Sequence, residues 1–184
     1  MAVAEYLAFE RSSQEKHELV HGEIFAMSGG TYEHNLIAGN AAREFGTLLH
    51  DTPCNALPSA MKVHIPATDG FVYPDVTVVR GQAEFHDEAR DAVTNPVLVV
   101  EVLSESTERY DRGDKFAGYR SVPSIQHVLL VSQRDRHVEH YQRQGDGSWL
   151  MREYAGSQVC PLPDLGCELR LDELYLKVEL PSRS

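Results

Sequence analysis

The sequence predicts a mixed-sheet α/β domain, and three observations carry that prediction. Periodic segments follow one another as helix, strands, helix, strands, the order expected when helices cover a sheet. One run, Val97-Leu98-Val99-Val100-Glu101-Val102-Leu103, is apolar on both faces except at Glu101, as a central strand covered on both sides would be. The chain of 184 residues, 42% hydrophobic and 24% charged, is long enough to bury a core as one domain spanning 1–184 without disulfides or structural metals.

The elements follow in order. Residues 2 to 10 read as a short helix, and residues 17 to 27 as a hairpin whose two apolar-containing runs meet at His21-Gly22. Ser28-Gly29-Gly30 breaks the chain. From Thr31, placed as N-cap, a helical stripe runs through His34, Ile37, Ala41, Phe45 and Leu48, with Pro53 beyond its end. Residues 60 to 65 alternate as a strand, Pro66 to Gly70 turn, and Phe71 to Val79 form another strand. Gly81 to Asn95 is a polar loop before the central strand. A second helix starts near Thr107 and ends before Pro123. Ile125 to Ser132 and His137 to Gln144 read as paired strands, Trp149 to Tyr154 as a third, and Leu169 to Leu176 closes the domain.

The hairpin contains His17-Glu18-Leu19-Val20-His21, which spells the zinc-peptidase signature H-E-x-x-H. That motif works on a helix, where i and i+4 aim two imidazoles at one metal. On an extended strand the two His lie roughly 13 Å apart, too far to share a zinc. The longer form of the motif would need Gly at 24 and His at 27, where Ile24 and Met27 stand. A metallopeptidase is therefore not expected.

A net charge of −11 argues against a protein that coats nucleic acid, although Arg109, Arg112, Lys115 and Arg120 form one basic segment and Arg134, Arg136 and Arg143 another. Cys54, Cys160 and Cys167 form no C-x-x-C and leave one thiol over, which fits a reducing compartment. No apolar run reaches membrane-spanning length, and no leader pattern opens the chain. A cytoplasmic location without membrane association is the expectation.

Two acids occupy expensive positions. Asp75 stands in Val72-Tyr73-Pro74-Asp75-Val76-Thr77-Val78-Val79, and Glu101 interrupts the most apolar run. A buried carboxylate is paired, protonated or bound to a cation. If the two strands are neighbours, the acids can converge on one hard divalent cation. Otherwise each reaches solvent at a strand end or pairs with an Arg. On the second helix Asp111, Lys115 and Tyr119 recur at i+4, which fits either a lysine swung back toward the acids or a solvated face with an Asp111 to Lys115 ion pair.

Pro74-Asp75, then Glu101-Val102-Leu103, then a downstream Lys resembles the PD-(D/E)xK nuclease superfamily. Leu103 departs from that motif, which places Lys two residues after the Glu. The wider set of stretches is similar to the Uma-type family of restriction-endonuclease-like proteins, in which the Lys is displaced onto the following helix. Those stretches are Glu18 to Ile24, His34, Tyr73 to Val76, Val100 to Thr107, Asp111 to Lys115, Tyr119 and the hairpin from His127 to Tyr141. Ser132 is a second departure, at a position where the family carries Asp.

The resemblance implies a restriction-endonuclease-like mixed sheet flanked by helices, with an N-terminal hairpin and a C-terminal antiparallel hairpin. It also implies a metal-dependent endonuclease hydrolysing phosphodiester bonds in DNA, working as a homodimer. Mg2+, or Mn2+ in its place, would be held by Asp75, Glu101 and the Val102 carbonyl. Lys115 would polarise the attacking water from roughly 3 to 6 Å of both acids. Arg112 and Tyr119 would orient Lys115 or a phosphate, His34 would stand near the metal or else be a core His, and Glu33 or Glu44 would supply a first-helix acid. The competing expectation is a non-catalytic homodimeric interaction domain that keeps the fold.

Overall fold

The structure, a computed structural model, describes residues 1–27, 29–105 and 107–181. Ser28, in the expected break, and Ser106, in one of the family-like stretches, lie outside the described residues. Helix α1 (Val3–Ser12) leads into β1 (His17–Val20) and β2 (Glu23–Ala26), paired antiparallel from His17↔Ala26 to Val20↔Glu23. His21 and Gly22, at φ 49° and 81°, make the tight turn, whose two positive φ values match the strands' right-handed twist. Thr31 accepts the His34 N–H at 3.2 Å and so caps α2 (Tyr32–Leu48) as its sequence predicts.

The next region departs from expectation. Two strands precede the turn at residue 66: β3 (Cys54–Pro58), which the reading above did not include, and β4 (Lys62–Ile65). The expected strand over 71–79 is two strands in two sheets, β5 (Gly70–Val72) and β6 (Val76–Arg80), with Tyr73-Pro74-Asp75 crossing between them. Proline has no N–H to continue a ladder, so the chain changes sheets there. The polar loop after residue 81 contains a two-residue strand, β7 (Ala92–Val93), beside β4.

β8 (Pro96–Leu103) is buried along its whole length. The second helix is a succession: α3 (Glu108–Tyr110), a π-helical turn over Asp111–Lys115 in which the Phe116 N–H reaches the Asp111 carbonyl, and α4 (Phe116–Ser121). β9 (His127–Ser132), β10 (His137–Arg143) and β11 (Trp149–Ala155) follow as a meander. β12 (Val159–Leu162), β13 (Cys167–Arg170) and α5 (Leu171–Leu174) close the chain.

The main sheet runs β11-β10-β9-β8-β6-β3, with β8 and β9 parallel and the other pairs antiparallel. A second sheet runs β2-β1-β5-β4-β7. Alternation along β8 sends Leu98, Val100 and Val102 into the core under Ile37, Ala41 and Phe45 of α2. Val99 and Leu103 face the opposite core with Tyr119 and Val122. Glu101 shares that second face, so a carboxylate points into the layer between main sheet and α4.

Candidate active site

Glu101 is 3% exposed, and the elements that answer it come from three parts of the chain. Strand β6 pairs Val76 with Val100, and continuing that register by one pair sets Asp75 across from Glu101. There the backbone ladder ends. Val102, whose next partner would be Pro74, donates its N–H at 2.7 Å to the Asp75 side chain instead. The other Asp75 oxygen meets His34 Nε2 at 3.1 Å, which brings α2 to the sheet edge. That hydrogen bond raises the His34 pKa against the opposing effect of burial. Among the described residues, His34 Nδ1 is buried with no hydrogen-bond partner.

Lys115, 6% exposed, hangs from the π-helical turn. Its Nζ lies 3.0 Å from Glu101 Oε1 and 3.0 Å from Glu18 Oε1. Asp111 Oδ1 stands at 3.9 Å and the Tyr73 carbonyl at 3.5 Å. Burial would lower the lysine's pKa, but Glu101, then Glu18 and Asp111, outweigh it and hold it well above the ordinary lysine range. Lys115 is therefore a fixed ammonium. Burial, together with Asp111, Asp75 and Glu18, pushes Glu101 up against the pull of Lys115. The Tyr119 hydroxyl donates to the same Glu101 oxygen that Lys115 engages. Asp111 is raised too, chiefly by burial.

Several residues take other places than the sequence suggested. Arg112 does not reach Lys115; it binds Glu108 at 2.9 Å and Glu139 at 2.7 Å. The two cations answer different acids, Lys115 those of β1 and β8 and Arg112 those of α3 and β10. The Tyr119 hydroxyl is bound to Glu101. Glu44 pairs with its neighbour Arg43. The further acid beside the lysine is Glu18, from the hairpin, which accepts the Tyr73 N–H at 2.8 Å and the Tyr110 hydroxyl at 3.0 Å. A signal for it existed: Glu18 is an acid beside buried Leu19 on a four-residue strand, where no solvated helix face can absorb it. His17 lies in β1 with Nδ1 on Glu10 at 3.0 Å, and His21 is in the turn, so the H-E-x-x-H spelling assembles no zinc site.

Among the described residues, no group of three or more His, Cys, Asp or Glu side chains is arranged to hold a metal ion by itself. The donor chemistry nevertheless fits a hard divalent cation that keeps part of its water: two carboxylates, Asp75 and Glu101, and one backbone oxygen. N–H and C=O of one strand residue point to the same side, so the Val102 carbonyl faces the edge where its N–H meets Asp75. Four carboxylates, Glu18, Asp75, Glu101 and Asp111, face one ammonium and one imidazole. This excess of negative charge is the electrostatic setting in which a second cation is favourable.

Comparison with known proteins gives the family and the fold. Two proteins of Synechocystis sp., the uncharacterised sll1609 and slr1290, are similar to this chain. The first is 38% identical over 159 residues, covering 86% of this chain and 90% of its own. The second is 37% identical over 171 residues, covering 93% and 89%. A crystal structure described as "a putative nuclease belonging to DUF820" from Anabaena variabilis superposes with a TM-score of 0.76 over 95% of this chain and 97% of that one. At 14% identity that likeness is one of fold. Residues 3–173 match the family described as "Uma2: Putative restriction endonuclease", and the chain belongs to that family.

Proposed function

We propose that this protein is a divalent-cation-dependent endonuclease that hydrolyses phosphodiester bonds in DNA, with Mg2+ as its ion and Mn2+ as a substitute. The observation that carries the reading is Glu101, across the strand register from Asp75 and 3.0 Å from the Lys115 ammonium of the following helix. Asp75, Glu101 and the Val102 carbonyl would hold the cation. When bound, the ion withdraws charge from a phosphoryl oxygen and acidifies the attacking water.

Lys115 works as a cation throughout. Two of its hydrogens point to Glu18 and Glu101, while the third faces only the longer contacts to the Tyr73 carbonyl and Asp111. That third hydrogen is the one available to the attacking water or to a phosphoryl oxygen as charge develops. A lysine held by three carboxylates within 4 Å is placed to orient and stabilise. Tyr119 and Tyr110 hold the two carboxylates, Glu101 and Glu18, that in turn hold Lys115. His34, bound to Asp75, sets the direction of the first carboxylate. A homodimer would present two such sites related by a two-fold axis. A cytoplasmic location fits a DNA substrate. Among the described residues no helix is long and apolar enough to cross a membrane.

The test is incubation of supercoiled plasmid, duplex oligonucleotides and single strands with the protein and Mg2+, Mn2+ or EDTA. Cation-dependent cleavage that disappears in Asp75→Asn, Glu101→Gln and Lys115→Ala is the expected result. No cleavage of any substrate with either ion, at any protein concentration that remains monodisperse, would favour the non-catalytic interaction domain.

A further inference from the structure

We infer that Phe25 is a stacking platform for an unpaired nucleobase beside the acid cluster, so that the site takes single-stranded nucleic acid in preference to an intact duplex. The inference rests on the nuclease reading above and specifies its substrate. Phe25 lies on β2, the open edge of the five-stranded sheet, and is 48% exposed. It stands directly across from Glu18 in the hairpin register, on the same face as that carboxylate. Its ring packs on Tyr110 with centroids 6.5 Å apart and planes 30° from parallel. The Tyr110 ring in turn lies under the Lys115 ammonium at 5.8 Å, and its hydroxyl binds Glu18. An exposed aromatic face is thus two contacts from the lysine.

Charge explains why stacking is needed there. Most cations of the two basic segments are already engaged: Lys115 by Glu18 and Glu101, Arg112 by Glu108 and Glu139, Arg136 by Asp172. Arg143 is bound to the Arg120, Val122 and Ile125 carbonyls, and Arg120 lies over the Phe116 ring. Among the described residues Arg109 and Arg134 are the members of that set left to meet phosphates. Two phosphate contacts supply little affinity next to a cluster of four carboxylates. Base stacking does not depend on that charge, and it is open only to bases released from a duplex.

The test uses the full chain in Ca2+ with a fluorescein-labelled mixed-sequence single strand and its blunt duplex, read by anisotropy. The single strand should bind more tightly than the duplex, with a log–log salt slope near −1.4, from about −0.7 for each of two contacts. Phe25→Ala should weaken single-strand binding by about five-fold or more, the low end for loss of one stacked base. Phe25→Trp should keep the affinity and gain an emission that the strand quenches, measured against the Trp149 background of the wild type. Unchanged affinity in Phe25→Ala, equal binding of the duplex, or a slope of −4 or steeper would overturn the stacking platform alone. Absence of binding to either nucleic acid by the wild type would overturn the nuclease reading with it.

Discussion

Replacing Lys115 by alanine removes the charge that holds three elements together. The ammonium contacts Glu18 and Glu101 at 3.0 Å each in a region where both acids are buried. With an effective dielectric near 20, each contact amounts to about 5 kcal/mol of gross attraction, most of it offset by the cost of burying the charges. What the substitution exposes is the uncompensated carboxylates, and orphaning a buried partner costs about 3–5 kcal/mol. Lys115→Ala should therefore lose about that much stability in urea titrations at neutral pH without divalent ions. Mg2+ should return part of the loss, because the vacated oxygens of Glu18, Glu101 and Asp111 then favour a cation. Turnover on DNA should fall by about 100-fold, as for loss of one preorganised contact to developing charge, while Mg2+ affinity does not weaken. Lys115→Arg should rescue poorly, since a planar guanidinium cannot place one point charge between two carboxylates. A stability loss below about 1 kcal/mol together with unchanged turnover would refute the reasoning, since a buried partner whose removal orphans no charge falls outside that range.

Other consequences follow from the same structure. Asp75→Asn should abolish Mg2+ binding by calorimetry while the fold persists, because the amide oxygen can still accept the Val102 N–H; retained affinity would show that the cation is held elsewhere. His127 and His140 are buried and joined at 2.9 Å, and burial, with His127 and Arg152 adding to it, holds the His140 pKa down at about 4. The unfolded chain then binds the extra proton first, so this group's stability is intact above about pH 6.5 and is lost as pH falls toward 4, by up to about 3 kcal/mol. His140→Leu should flatten that part of the urea midpoint profile between pH 7 and pH 4, and an unaltered profile would contradict the assignment. A Cβ at Gly70 would stand 2.9 Å from the Leu19 carbonyl, so Gly70→Ala should destabilise the hairpin that carries Glu18, by about 1–3 kcal/mol in thermal or urea unfolding; no change would show that β1 can shift freely.

Much of this was legible in the sequence where local physics decides. Thr31 caps α2 because its hydroxyl accepts an orphan helix N–H, and His21-Gly22 turns the hairpin because the tight turn needs positive φ. Glu101 announced itself as one acid in a run with no exposed face. The spacing of Lys115 fitted a solvated ion pair equally, and the family resemblance singled it out. The rest depended on long-range placement. Pro74 marks a break, but nothing local says that the strands on either side enter different sheets, or that Asp75 then replaces a missing backbone partner for Val102. Glu18 is about 80 residues from Glu101 in the chain, and long-range contacts, the pairing of β1 with β5 among them, bring the hairpin to the site. The π-helical turn at Asp111–Lys115 has no periodicity of its own, and nothing local says which acids Arg112 and Lys115 will meet.

The central claim is that Asp75, Glu101 and the Val102 carbonyl form one divalent-cation site served by Lys115. Crystals soaked in Mn2+ and measured across the manganese absorption edge test it without any assumption about substrate. The account predicts an anomalous peak within about 2.5 Å of oxygens from all three residues, the range of hard-cation coordination, with the Lys115 ammonium still beside Glu101. A peak elsewhere, or none at this position at millimolar Mn2+, would contradict it.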